Sequence, residues 1–438
     1  MKKRFRFAFL LPGFIWATFV HAQHTLSPPE ENQVDSLKTH HQIIYFGKKE
    51  EVDSVKEMAL IDRFYYDQFH HFQDPRAPYF LFMSRDAQLA MGIGGVVRMR
   101  GWEDWKGVMN TSGFIPYDIS VPPGEARRRK FGSTPAGTTL YFAVLGSNRA
   151  LGNYQLHIEA NFNGYRSRDF NLKKAFAAVN DWTIGYTNST FSDPAGTPPL
   201  VDGQGSNAEV RTTAVLLRWM RAVSRHWEVA ASLETPQSQV GANDSTTMAV
   251  DDWLPNVAAF VQYGWGYNEQ VRLSGILRTL PYRDLKAEKN YNRIGWGLQL
   301  SSLFRPARPL TVYATVNAGC GYESLTNDLL MGQFDLADDP DRPGRMYAPF
   351  AYGWFGAVQY YLVSNVFISG TFGRMNYQPR GEVAGTTYKY GLYSAFNIFW
   401  YMTPRIQVAG EFNWGKRRNF DGAHNAARRI SLMAQFAF

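Results

Sequence analysis

One cysteine, Cys320, stands in 438 residues, so no disulfide framework holds this chain together. Beyond the N-terminus, no apolar run approaches the roughly 18 residues that a membrane-spanning helix requires. The mean hydropathy of −0.32 agrees, which sets a helical membrane protein aside. Charge is sparse at 19% of residues while aromatics reach 15%, a balance that cannot stay solvated over such a length, so disorder is excluded as well. Plentiful instead are apolar residues, at 45%, and glycine, at 38. Length alone suggests two or three ordinary domains. Two classes survive these exclusions. One is an aromatic-rich soluble β protein; the other is a membrane β-barrel, whose alternating strands escape hydropathy averages.

The N-terminus bears on the choice. Lys2, Lys3, Arg4 and Arg6 precede an apolar core from Phe7 to Val20, and Val20-His21-Ala22 follows as a cleavage site. This is the pattern of a secretory signal peptide over residues 1–22. Its removal takes four positive charges and no acids, so the formal net charge falls from +8 to +4. Gln23 would lead the mature chain, so no lipid anchor is implied. With half of the basic excess in the leader, no nucleic-acid partner is expected. Residues 23–49 read as a flexible polar lead-in. From Glu50 to Phe72 the apolar positions Val55, Met58, Ala59, Ile61, Tyr65, Tyr66 and Phe69 follow a helical period. A helix is predicted near 50–72, held against a barrel mouth or against its own copies. Adjacent histidines, such as His40-His41 and His70-His71, would point about 100° apart on a helix. With no Cys or acid nearby at ligand spacing, neither a metal nor any other cofactor is expected. The segments expected are therefore a leader at 1–22, an N-terminal segment at 23–86 and one large β unit at 87–438.

From about Ala87 the period becomes two. Leu156, Ile158, Ala160 and Phe162 alternate with Gln155, His157, Glu159 and Asn161; Trp227, Val229, Ala231 and Leu233 alternate with Glu228, Ser232 and Glu234; Ile406, Val408, Phe412 and Trp414 alternate with Gln407, Glu411 and Asn413. Segments of about ten residues with one apolar and one polar face fit tilted membrane-crossing strands. Sixteen are predicted, near 87–101, 138–147, 153–162, 169–179, 181–188, 210–220, 225–234, 257–266, 269–280, 291–304, 308–319, 350–362, 365–375, 387–401, 403–413 and 428–438. Their connections alternate long and short throughout, which a soluble sandwich has no reason to do. The predicted fold is all-β: a 16-stranded antiparallel transmembrane β-barrel with a short N-terminal periplasmic helical segment.

Aromatic placement points the same way. Trp219 and Trp227 flank one short turn, Tyr263, Trp265 and Tyr267 crowd the next, Tyr360 and Tyr361 stand at another, and Trp400 and Tyr401 at the last. Amphipathic rings favour a membrane–water interface. The chain ends on Phe438 behind Phe436, Ala434, Leu432 and Ile430 on one face, which resembles the signal that bacterial outer-membrane barrels present to the barrel-assembly machinery. The implied location is the outer membrane of a Gram-negative cell, in contact with its lipid and lipopolysaccharide.

Several short stretches resemble successive strands and loops of the DcaP-like porins. They are Phe131-Gly132-Ser133-Thr134, Ile158-Glu159-Ala160-Asn161-Phe162, Asn171-Leu172-Lys173-Lys174-Ala175-Phe176, Ser189-Thr190-Phe191-Ser192-Asp193, and Pro198-Pro199-Leu200-Val201-Asp202-Gly203-Gln204-Gly205. The resemblance covers roughly 85–240, with Lys173-Lys174 where that family carries a double arginine, and beyond it only strand rhythm is shared. It implies a homotrimer of sixteen-stranded channels, a constricting third loop, and uptake of small negatively charged solutes such as dicarboxylates.

The residues themselves specify a lumen. By strand parity the inward cations are Arg98, Arg100, Lys173, Arg218, Arg272, Arg278, Arg293, Lys389, Arg405 and Arg429, against the inward acids Glu159, Glu228, Glu234 and Glu411. Rings of Arg and Lys favour anions. Each such cation could instead pair with an acid across the wall and stiffen it. The loop from Phe191 to Glu209, carrying Asp193 and Asp202, is the candidate constriction, with an ordinary exposed loop as its alternative. Lys174 and Arg211 fall on the nominal lipid face, which implies a bulge, an interfacial position or a neighbouring subunit. The expected function is passive diffusion of small hydrophilic, preferentially anionic solutes. Two other readings stand beside it: a structural or partner-docking barrel acting through 23–86, and a lipid hydrolase. An enzyme is not expected, because His157, His226 and His424 have no Gly-x-Ser-x-Gly elbow to accompany them.

Overall fold

Sixteen antiparallel strands join edge to edge, and the last pairs with the first. The computed structural model describes residues 41–47, 54–65, 69, 71–72, 74, 77–109, 111–124, 129–163, 169–242, 245–266 and 268–438. The expected leader at 1–22 and the lead-in as far as residue 40 lie outside the described residues, as do His70 and Tyr267. The barrel strands are β1 (Leu89–Trp105), β2 (Arg129–Thr134 with Thr139–Asn148), β3 (Gly152–Asn163), β4 (Asp169–Val179), β5 (Trp182–Asn188), β6 (Thr213–Ala222), β7 (Trp227–Glu234) and β8 (Asn256–Trp265). They continue as β9 (Glu269–Asp284), β10 (Lys289–Ala307), β11 (Leu310–Cys320), β12 (Phe350–Val363), β13 (Val366–Gln378), β14 (Tyr388–Tyr401), β15 (Ile406–Asn419) and β16 (His424–Ala437). Each pairs with its neighbour in sequence, and β16 closes on β1 from Arg428↔Trp105 to Ala437↔Val96. Both parts of β2 pair with β1.

The period-two pattern explains both faces. Ser431 is 2% exposed and its neighbour Leu432 is 66% exposed, because successive side chains point to opposite sides of a strand. Ile158, Leu217, Leu273, Leu298, Phe396 and Ile398 stand exposed on the outer face in the same way, whereas Glu159, Arg218, Arg272, Gln299 and Asn397 are buried. An apolar belt continuous around a closed barrel cannot face water at this size; in a bilayer it meets lipid. Near the short turns, the rings of Trp227 and Tyr263 lie 5.0 Å apart and those of Tyr263 and Trp265 lie 5.8 Å apart. Among the described residues, no helix is long and apolar enough to cross a membrane.

The strands run past the predicted boundaries where the sequence looked too polar. β1 continues through Trp102-Glu103-Asp104-Trp105, β2 begins at Arg129, and β16 begins at His424 rather than near 428. These extensions lie at the end of the barrel that carries the long loops. Strand edges beyond the bilayer still pair but no longer need an apolar outer face.

The lead-in returns into the barrel. The helix α1 (Ser54–Tyr65), within the predicted 50–72, buries Leu60, Ile61 and Phe64 against Leu81, Met83, Ala90, Tyr141, Ala143 and Leu145. The last four of these belong to the inner face of β1 and β2 near the short-turn end, the periplasmic end of an outer-membrane barrel. Gln42–Phe46 runs parallel to Phe80–Ser84, which pairs with β1 from Phe80↔Ile93 to Met83↔Ala90. It fills the stretch of β1 edge that β16 leaves beyond Val96.

Candidate pore

The chain between β5 and β6, residues 189–212, does not extend from the barrel but folds inside it. Its base is held by Glu234 of β7, which accepts from the Ser189 hydroxyl (2.6 Å) and the Thr190 amide (2.8 Å). Asp193 then accepts from Gln270 Nε2 (2.9 Å) and the Ser301 hydroxyl (2.5 Å), and its Oδ1 lies 3.4 Å from Arg272. Further along, Asn397 and Ser369 donate to the Pro199 carbonyl (2.9 and 3.1 Å). Glu411 of β15 accepts from the Val201 and Asp202 amides at 2.7 and 2.8 Å, and Arg100 of β1 donates to the Val201 carbonyl at 3.1 Å. The returning limb is held by Asn207 donating to the Gly391 carbonyl and by Asn317 donating to the Ala208 carbonyl. One loop therefore touches walls on opposite sides of the barrel. Its polar backbone is buried yet satisfied by side chains of the inner face, as backbone inside a barrel must be.

Two more loops join it. Phe114, in the loop after β1, donates its amide to Asp202 (3.1 Å), and Tyr117 donates its amide to Asp328 of the loop after β11 (2.8 Å). Asn327 donates to the Gln204 carbonyl at 2.6 Å. Burial raises the Glu209 carboxyl to about 7, against the opposing field of Arg211 and a hydrogen bond from Thr197. Burial also raises Asp328 to about 7 and moves Asp202 upward, the latter despite Arg100.

The lead-in reaches the same space from below. Arg218 of β6 sits 3.8 Å above the Phe69 ring, and Phe69 also packs against Phe260 of β8 at 6.3 Å between ring centres. Asn188 donates to the Phe69 carbonyl at 2.6 Å. Phe72 lies edge-on to Phe367 of β13 and Phe399 of β14, at 5.9 and 5.4 Å. Asp74 is bound by Lys173 and Lys174 of β4. His71 is buried, and burial together with Arg211 holds its basicity well below the usual value; Lys173 and Arg98 act on it in the same sense.

The predicted inward residues separate into groups. Arg100, Arg272, Arg278 and Arg429 are buried on the inner face and paired with Asp202, Asp193, Asp335 and Asp104, at 3.6, 3.4, 3.2 and 2.6 Å. Arg98 faces inward onto Gln435 (2.9 Å), and Arg218 onto Phe69. Glu159 takes Lys173 at 2.7 Å, and Glu228 is buried on the inner face. Arg293 keeps the inner-face parity of β10 toward its long-loop end, donating to the Met346 carbonyl at 2.6 Å. Two cations depart from the expected placement. Lys389 is exposed, because a register shift between Tyr388 and Tyr390 breaks the parity on which it was placed, and its ammonium lies 5.4 Å over Phe420. Arg405 belongs to the short turn before β15 and stacks 3.9 Å over Tyr79 of the lead-in.

The two residues with the wrong parity resolve differently. Between Glu159 and Ala160, β4 carries one extra residue, and the bulge turns both Lys173 and Lys174 inward. Arg211 precedes β6, which begins only at Thr213, so its parity does not apply; it is exposed and donates to the Gly203 carbonyl of the inner loop at 2.6 Å. The site residues not anticipated are Asp74, Asp104, Asp335, Phe69 and Phe72. Asp104 had a signal in the alternation of 102–105. Phe69 stood in the apolar period of the lead-in, and Phe72 and Asp74 had no signal.

No protein-family model and no curated protein matches the chain. Solved structures do. The outer membrane channel DcaP of Acinetobacter baumannii superposes with a TM-score of 0.70 at 17% identity, over 81% of this chain and 98% of the other. An anion-selective porin from Comamonas acidovorans gives 0.53 at 9% identity over 80% and 100%, and a loop L8 deletion mutant of OmpT from Vibrio cholerae gives 0.52 at 10% over the same shares. At these identities the likeness is one of fold. The chain has the porin fold, and its closed barrel with an apolar outer belt is an outer-membrane architecture.

Proposed function

We propose that this chain is a porin that passes small hydrophilic solutes across the outer membrane and favours anions, dicarboxylates among them. The observation that carries this reading is the convergence of inward cations around the inner loop. Arg98 and Arg100 are buried on the inner face of β1, the bulge in β4 turns Lys173 and Lys174 inward, and Arg211 stands exposed beside the loop, donating to the Gly203 carbonyl at 2.6 Å. Such a cluster lowers the barrier for an anion and raises it for a cation. The loop at 189–212 acts as the constriction, with Asp193 and Asp202 serving to hold it rather than to contact solute. Export by the 1–22 leader, insertion through the C-terminal strand and assembly as a homotrimer belong to the same proposal.

Planar-bilayer recording in a potassium chloride gradient tests it. The expected result is discrete conductance with a reversal potential displaced toward that of chloride. Folded protein without conductance would remove the channel reading, and displacement toward potassium would remove the anion preference.

A further inference from the structure

We propose that the outer wall at the closing seam carries a binding site for a phosphorylated, multiply acylated glycolipid of the outer leaflet, the lipid A class. A furrow of small residues takes its acyl chains, and a band of outward cations above the furrow takes its phosphates. The site lies on the lipid side of β14, β15, β16, β1 and β2, apart from the lumen.

Five strands set one outward residue each into a single row there. Ile398 of β14 stands opposite Gly410 of β15, and Gly410 opposite Leu432 of β16. Leu432 in turn stands opposite Gly101 of β1, and Gly101 opposite Ser133 of β2. Side chains directly opposite one another start about 4.5–5.5 Å apart, so each small residue opens a gap beside a large one. The gaps join into a groove of 950 Å³, within the size range of small-molecule sites. Neither glycine is demanded by the fold. Neither has a positive φ. A methyl group at Gly101 would come no closer than 3.9 Å to the Gly132 carbonyl, and one at Gly410 no closer than 3.6 Å to Leu432. Gly95 of β1, by contrast, would collide with the Thr139 carbonyl, so its smallness is structural. Gly101 and Gly410 keep the wall hollow at the depth of the acyl chains.

Toward the long loops the outward residues change character. Two positions on stand Phe412, Ile430 and Phe131, with one acid, Glu103. The next row holds Trp414, Arg428, Trp105 and Arg129, and Lys416 and Arg418 follow along β15. The rings of Trp105 and Phe412 lie 6.1 Å apart, and such rings mark the membrane–water interface. Arg428 is four residues beyond Leu432, about 13 Å along the strand. The cations therefore stand at headgroup level above the groove. Among the described residues, no acid pairs with Arg129, Arg428, Lys416 or Arg418. Four cations against Glu103 leave a net of three positive charges facing the outer leaflet. Phosphate answers them best, because a guanidinium binds it through two parallel hydrogen bonds. Apolar contact with a second copy accounts for the furrow alone; a phosphorylated lipid accounts for the furrow and the cations together.

The test uses the full-length chain in detergent, purified lipid A as probe, and native mass spectrometry after detergent exchange. The wild type should retain lipid A, and Arg428→Gln combined with Lys416→Gln should retain several-fold less. Gly101→Leu combined with Gly410→Leu fills the groove and should lose as much. Glu103→Gln removes the opposing acid and should retain more, a gain that misfolding cannot produce. Unchanged retention in all three would overturn the site. Equal retention of dephosphorylated lipid A would overturn the phosphate assignment, and equal retention of phosphatidylglycerol would overturn the glycolipid assignment. If the leucine variant changes the number of chains per particle while lipid retention holds, the groove is a contact between copies and the site is overturned. Heat-modifiable migration in gels checks that each barrel is closed. Conductance does not enter the readout, so a barrel that retains lipid A but never conducts would support the site while removing the porin reading.

Discussion

A buried ion pair spans the seam at which the barrel closes, and removing half of it should expose what that pair does. Asp104 on β1 and Arg429 on β16 stand directly opposite across the closing seam. Arg429 Nε donates to Asp104 Oδ1 at 2.6 Å and Nη2 to Oδ2 at 3.0 Å, a bidentate contact. Side-chain exposures of 2% and 0% mean that neither group is screened by solvent. Arg429 also donates to the Ser112 carbonyl (2.8 Å) and the Thr111 carbonyl (3.3 Å), which ties the first loop to the seam. Asp104→Ala leaves the guanidinium buried without its counter-charge, a loss of about 3–5 kcal/mol for such pairs. Replacing both residues with leucine removes the stranded charge as well, so the double variant should lose less than Asp104→Ala alone. The remaining deficit should be about 1–3 kcal/mol, from loop carbonyls left without a donor. Urea unfolding followed by tryptophan fluorescence, with heat-modifiable migration in gels as a check on closure, measures both. If Asp104→Ala costs under about 1 kcal/mol, the pair behaves as a solvated surface pair and the seam argument fails. If the double variant is worse than the single, stranded charge is not the cause.

Two further outcomes follow from the lumen. Arg211→Ala should shift the reversal potential in a salt gradient toward zero, whereas Lys389→Ala should leave it unchanged, since Lys389 is exposed over Phe420 outside the convergent set; equal shifts would refute the placement. Glu209 should make the inner loop sensitive to pH: burial raises its folded value to about 7 from 4.5, so the folded loop holds a proton that a released loop gives up. The loop is then most firmly seated below about pH 4.5 and loses that contribution as pH rises through 7, which gating noise recorded from pH 5 to 8 should show as more frequent fluctuations at the higher pH; Glu209→Gln should make the profile shallower, leaving the part carried by Asp328, and a wild-type profile already flat would refute the argument.

The strands were legible because a two-residue period survives local irregularity, and because sixteen segments separated by alternating long and short links leave few other folds. Their boundaries were legible only within the bilayer. Beyond it Glu103, Asp104 and Lys130 pair in strands that no lipid constrains, so the rule that located the rest is silent there. Parity failed at four positions, each for a nameable reason. A bulge turned Lys174 inward, a register shift at Tyr388–Tyr390 displaced Lys389, and Arg211 and Arg405 precede their strands. Lys174 and Arg211 left a mark in the sequence, a charge on the nominal lipid face; the shift at Lys389 left none. Asp74 was hidden by distance, since its lysines are 99 and 100 residues away.

Counting inward charge by parity gave ten cations against four acids, and that count misleads in a particular way. Asp193, Asp202 and Asp335 belong to loops, and parity cannot assign a loop residue to the inner face. Folded into the lumen, these acids bind Arg272, Arg100 and Arg278, while Asp104 binds Arg429. The elements that narrow the passage are therefore the same ones that neutralise its wall. A lumen arranged so cannot spread selectivity over ten residues. On the proposed anion preference, the effect should concentrate at Arg211, exposed beside the inner loop, and less at Lys173, whose 20% exposed side chain is held by Asp74 and Glu159. In a porin with evenly charged walls, single substitutions shift selectivity slightly. Here, one substitution at Arg211 should move it more than the loss of any of the four loop- or seam-paired arginines.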